Sequence, residues 1–179
     1  DKINGWAIGY GVETSPPISS AQVINGIHTN VQPLHLPIVG LVATHLLFSP
    51  IVIFKDLKEG SNLLNENIID LPTNSTSKTS YINGMSFYLF GFGMVEGYVT
   101  NGIAISTALM GSEKANGLSV AVLANVHEEM NGVSIAGILN ASGEVKGLQL
   151  GLINYAESLS GVQLGLLNRV GNRVIPFLN

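Results

Sequence analysis

Apolar arms opened by glycine and separated by short polar groups run down the second half of the chain. GLSVAVLAN starts at Gly117, GVSIAGILN at Gly132, GLQLGLIN at Gly147 and GVQLGLLN at Gly161. The leading glycines are 15, 15 and 14 residues apart, and Gly102 opens a weaker copy 15 residues earlier, so one structural unit is built repeatedly. Within the copy from Gly147, Leu148, Leu150 and Leu152 alternate with Gln149, Gly151 and Ile153. A period of two predicts strands, and the glycine density and β-branched content disfavour helix.

Charges punctuate this pattern. They fall at Glu96, Glu113 and Lys114, Glu128 and Glu129, Glu144 and Lys146, Glu157, Arg169 and Arg173, roughly one group per repeat, while the arms are uncharged. Ser142-Gly143-Glu144-Val145 and Val170-Gly171-Asn172-Arg173 each put glycine at the first central position of a type II′ hairpin turn. If each polar group reverses the chain, an antiparallel meander pairs Leu152 with Val162 and Leu150 with Leu164, and Leu139 with Leu148 and Gly137 with Leu150. The apolar faces then coincide, whereas a slip of one residue would separate them. The alternative is a β-solenoid in which each repeat of 14 or 15 residues is one coil. It stacks Asn125, Asn140, Asn154 and Asn168 as a ladder, gathers the leading glycines at a corner, and turns Ala, Gly, Ser, Gln and Ile outward.

The first half is less regular. Asn4-Gly5-Trp6, Asn25-Gly26-Ile27 and Asn83-Gly84-Met85 are diverged openings of the same unit. No charged residue occurs from Thr14 to Phe54, and Leu34 to Phe54 is almost continuously apolar. Pro37 and Pro50, His35 and His45 and the β-branched residues argue against a regular membrane helix there and favour strands buried on both faces or facing lipid. Residues 55–79 are polar and read as a long connection with a short helix near Ser61 to Ile69.

Composition narrows the function. Only 11% of the 179 residues are charged, against about 25% in ordinary soluble domains. Much of the surface therefore faces lipid, a partner or neighbouring copies instead of bulk water. A net charge of −4 and the absence of any Lys/Arg cluster argue against nucleic acid. There is no cysteine, which excludes disulfides, thiol nucleophiles and zinc knuckles. The chain begins at Asp1, as an exported protein does once its signal peptide is removed.

Candidate chemistry is sparse. His28, His35, His45 and His127 are the only imidazoles and show no metal-ligand spacing; they read as polar tips at strand ends. Glu128 and Glu129 are adjacent and would point to opposite faces of a strand, so they read as a solvated turn. No nucleophile elbow, phosphate-binding loop or dinucleotide fingerprint is present. Asn74-Ser75-Thr76 and Asn140-Ala141-Ser142 match the glycosylation sequon, a frequent chance pattern. Gln149 and Gln163 occupy equivalent positions and predict a hydrogen-bonded ladder, as the asparagines do. No catalytic, cofactor-binding or metal residue is assigned, and the expectation is a protein that is not an enzyme.

GLQLGLINYAESLSGVQLGLLN, the Asn-Gly openings and the closing Arg173-Val174-Ile175-Pro176-Phe177-Leu178-Asn179 resemble bacterial cell-surface repeat-containing proteins of the GΦxΦGΦΦN type. The resemblance is strong from about Gly102 to Asn179 and implies export to the cell envelope, with no catalytic residue or substrate attached. Arms of about 11 or 12 residues also match the roughly 9 to 11 that a tilted strand needs to cross a bilayer. The expected architecture is a single repetitive all-β domain over residues 1–179. It is an antiparallel meander of about ten strands closed into a small outer-membrane-type barrel, with Leu, Val and Ile toward lipid and Gly, Ser, Gln and Ala inside. The β-solenoid stands as the alternative. The expected function is that of a non-enzymatic envelope protein, a structural or accessory subunit of an outer-membrane assembly, contacting membrane lipid or other envelope proteins. An exported surface repeat protein for adhesion or self-assembly is the alternative.

Overall fold

The computed structural model describes residues 2–10, 22–31, 79–89 and 92–179, the side chains of 92–96 aside. The described residues form nine strands: β1 (Lys2–Tyr10), β2 (Val23–Val31), β3 (Ser80–Leu89), β4 (Phe92–Ser106), β5 (Leu109–Ala121), β6 (Ala124–Ala136), β7 (Leu139–Leu150), β8 (Ile153–Val170) and β9 (Arg173–Leu178). They pair in chain order, and every pairing from β1 to β8 is parallel. The first and last strands lie at opposite ends of this order, so the sheet is open. This is a β-solenoid of about five turns. It corrects the antiparallel barrel and supports the alternative architecture.

The polar groups expected to reverse the chain bend it instead. In β5, β6 and β7 the ladder passes from Ser112, His127 and Ser142 directly to Lys114, Glu129 and Glu144, leaving Glu113, Glu128 and Gly143 as unpaired corners. A second corner falls at the leading glycine. The third lies where the strand is interrupted, at 107–108, 122–123, 137–138 and 151–152. Leu150 does lie beside Leu164, but in parallel register. Leu148, not Leu152, faces Val162, and Leu139 faces Ile153 instead of Leu148. Of the two expected hairpins only Val170-Gly171-Asn172-Arg173 exists: Gly171 has φ 53°, and β9 returns antiparallel along β8.

The repeat length follows from backbone contact at the glycine corner. Gly117, Gly132 and Gly147 stack in register, each with positive φ. A Cβ on Gly132 would sit 2.1 Å from the Gly117 carbonyl oxygen, so the coils stack this closely only with glycine there. Asn4-Gly5, Asn25-Gly26 and Asn83-Gly84 fall into the same register as Asn101-Gly102, which extends the unit through the irregular first half. The 14-residue copy loses its residue at the third corner. Ala136-Gly137-Ile138 separates the paired segments of one coil, whereas only Gly151-Leu152 does so in the next. Ladders on both sides therefore stay aligned. The apolar stretch Leu34 to Phe54 and nearly all of the 55–79 connection lie outside the described residues.

A coil this narrow leaves little room inside. One inner column is apolar apart from Thr100 and includes Ile24, Ile82, Ala115, Met130 and Val145. A further apolar cluster holds Tyr88, Tyr98 and Met110, and much of the remaining interior is small or polar, including Ser119, Ser134, Gln149 and Gln163, all fully buried. The outward face expected for a solenoid is thus reversed. Ser, Gln and Ala point in, and the Leu, Val and Ile of the same strands point out.

Candidate association face

The polar interior is held by ladders running along the solenoid axis. Asn125 donates to Asn140 Oδ1 (3.2 Å), Asn140 to Asn154 (2.8 Å) and Asn154 to Asn168 (2.8 Å). Each of the first three also caps a carbonyl of the neighbouring coil: Ile135 for Asn125, Leu150 for Asn140 and Leu164 for Asn154. Gln163 donates to Gln149 Oε1 at 2.7 Å, and Asn179 Nδ2 donates to Gln163 Oε1 at 3.0 Å, so Asn179 joins that ladder. A second asparagine column, absent from the sequence reading, runs along the coil exterior. Asn131, Asn116, Asn101, Asn83 and Asn25 each donate to the preceding asparagine, ending at Asn4. Its signal was the Asn of each Asn-Gly opening.

Among the described residues, catalytic residue types converge around His127. Its Nδ1 lies 2.9 Å from Ser112 Oγ and its Nε2 3.0 Å from Ser119 Oγ. Ser119 gives its proton to Asn125 Oδ1, so its oxygen accepts from Nε2–H and Nδ1 accepts from Ser112. All three residues are buried, and burial lowers the imidazole pKa to about 4, with a hydrogen bond to the Ser112 backbone opposing. The ring is therefore a neutral crosslink between coils. His28 is also buried, edge-on to Tyr88 at 5.5 Å. Both corrections have one cause: the strand faces expected to reach solvent line the interior. His35 and His45 lie outside the described residues. Among the described residues no three His, Asp or Glu side chains converge as a metal site would require.

The outer surface is divided by polarity. The segment between the first corner and the glycine carries Lys114 paired with Glu129, and Glu144 paired with Lys146. Lys114 holds the Glu129 carboxyl below its usual range by hydrogen bond and charge, and Glu144 raises Lys146 in the same way. The exposed corner residues Glu113, Glu128 and Glu157 border this side. On the segment after the glycine no charge occurs. One outward column runs from Trp6 through Ile103 and Leu118 to Val162, and the next from Ile8 through Phe87 and Val120 to Leu164. Tyr10, Val122, Leu152 and Leu166 border them on the same side, and Tyr10 is 80% and Leu166 57% exposed. None of these residues is buried. Glu128 and Glu129 fall respectively on a corner and in the ion-paired column, not in an acid/base pair.

Eight strands about 4.8 Å apart and three outward positions per strand give a face about 34 Å by about 20 Å, on the order of 700 Å². The largest apolar patch on a typical monomer is roughly 300–600 Å². Among the described residues this face is the candidate functional surface. Compared with known proteins, the chain matches no family model, no curated protein and no solved structure.

Proposed function

We propose that this chain is a non-enzymatic structural or accessory protein of the bacterial cell envelope, a stiff β-solenoid that works by presenting its uncharged apolar face to another component. One observation carries the reading: an apolar, charge-free surface on one side of the coil, opposite a side holding the ion pairs and corner carboxylates. Such a surface is costly to leave in water and has little use in a catalyst, which needs convergent polar groups. The pattern resemblance to bacterial surface-repeat proteins supplies the location.

Sequential extraction of the native producer's envelope with high salt, alkaline carbonate and detergent tests this. The expected result is that the protein sediments with the envelope and resists salt. Recovery entirely in the soluble fraction would overturn the reading.

Adhesion or self-assembly at the cell surface is the second reading. It is favoured by the asymmetry of the two sheet ends. At one end β9 covers β8, with Asn179 and Gln163 exchanging backbone hydrogen bonds; at the other, β1 is the outermost strand among the described residues. Ordered end-to-end assemblies in electron micrographs would distinguish it.

A further inference from the structure

We infer that the apolar face is a homodimer interface and that its occupant is the same face of a second copy. The inference rests on reading this face as an association surface, and it names the partner.

Area is the first argument. About 700 Å² of planar face approaches the roughly 800 Å² per partner of a standard stable interface. Charge is the second. Among the described residues, two copies brought face to face meet no like charges, because every ion pair and corner carboxylate lies on other sides of the coil. Shape is the third. The ladders from β5 to β7 keep register on both sides of their single skipped corner, so the outward columns form regular ridges and grooves that an identical surface can interleave. A twofold pairing uses the face once on each copy and closes, giving a dimer and not a filament.

A lipid surface fits less well. Interfacial proteins hold anionic headgroups through Lys and Arg on the polar side. Here that side is dominated by Glu113, Glu128, Glu129, Glu144 and Glu157, and the whole chain carries a net charge of −4.

The test uses the full chain in detergent-free buffer, with mass measured by light scattering during size exclusion. The wild type is expected at twice its 18.9 kDa mass. Leu150→Lys, at a position already 41% exposed, should raise the dissociation constant at least about tenfold with unchanged far-ultraviolet circular dichroism. Val120→Lys, nearer the centre of the face, should have a larger effect. Lys114→Gln, on the charged side, should leave the dimer intact. A monomeric wild type at tens of micromolar, or a dimer indifferent to Leu150→Lys and Val120→Lys, overturns the inference. So does a monomer that floats with phosphatidylcholine–phosphatidylglycerol vesicles. A monomer that still sediments with the envelope would defeat the pairing and leave the proposed function standing. A dimer absent from the envelope would do the reverse.

Discussion

Asn140 donates through one amide nitrogen to Asn154 Oδ1 at 2.8 Å and to the Leu150 carbonyl at 2.9 Å, while its own Oδ1 accepts from Ser134 and Asn125. It is fully buried, so removing the side chain strands four partners without access to water. Asn140→Ala is expected to cost about 3 kcal/mol or more. Urea denaturation checks it, and a loss below about 1 kcal/mol would mean that the ladder is decorative.

Glycine at the coil corner is required by contact as well as by conformation. Gly132 and Gly5 share positive φ, 131° and 117°, but a Cβ at Gly132 meets the Gly117 oxygen at 2.1 Å while one at Gly5 meets nothing within 4 Å. Gly5→Ala should therefore cost about 1–3 kcal/mol of backbone strain alone. Gly132→Ala should cost clearly more, because the coils must also separate. Equal melting temperatures for the two variants would contradict the stacking.

These relationships explain how far the sequence could be read. Repeat length, strand character, the glycine corner and the Asn and Gln ladders were all legible, because each depends on a residue type recurring at one spacing. The direction of pairing was not. Leu150 and Leu164 are neighbours in both an antiparallel meander and a parallel stack, so matching apolar faces could not discriminate between them. Burial was misjudged for a related reason. Alternation shows that Leu148 and Gln149 face opposite ways, but which one points inward depends on the coil's width. A narrow interior accepts Gln149 only because Gln163 and neighbouring groups satisfy its amide. The outward apolar face was legible as a pattern, since its Leu, Val and Ile are the same residues that had been assigned to lipid.

Burial of neutral His127 makes stability depend on pH. Its folded pKa, about 4, lies below the ordinary 6.5, so the unfolded chain binds the extra proton between those values. Stability from this group is complete above about pH 6.5 and falls as the pH drops toward 4, by on the order of 3 kcal/mol at most. His127→Asn should flatten the fall relative to wild type when thermal unfolding is followed from pH 7 to pH 4. An identical slope in both proteins would show that His127 is not held neutral.

Asn30 presents the opposite case. Its side chain is fully buried, and among the described residues neither amide atom has a hydrogen-bond partner. Asn30→Leu, close in volume, removes the unpaired polar group and should raise stability by about 1 kcal/mol, read from the urea midpoint. A loss of stability would show that the amide is satisfied after all.

The central claim, that each repeat is one coil of a parallel stack, is tested most directly by the distance between Glu113 and Glu157. Both are exposed corner residues, three coils apart, and the chain has no cysteine to interfere with site-specific labelling. Spin labels at Glu113→Cys and Glu157→Cys, measured by dipolar electron resonance, should lie about 14 Å apart at the backbone, three strand spacings, broadened by the label linkers. A distance above about 30 Å would put these residues at opposite ends of long antiparallel strands and contradict the solenoid.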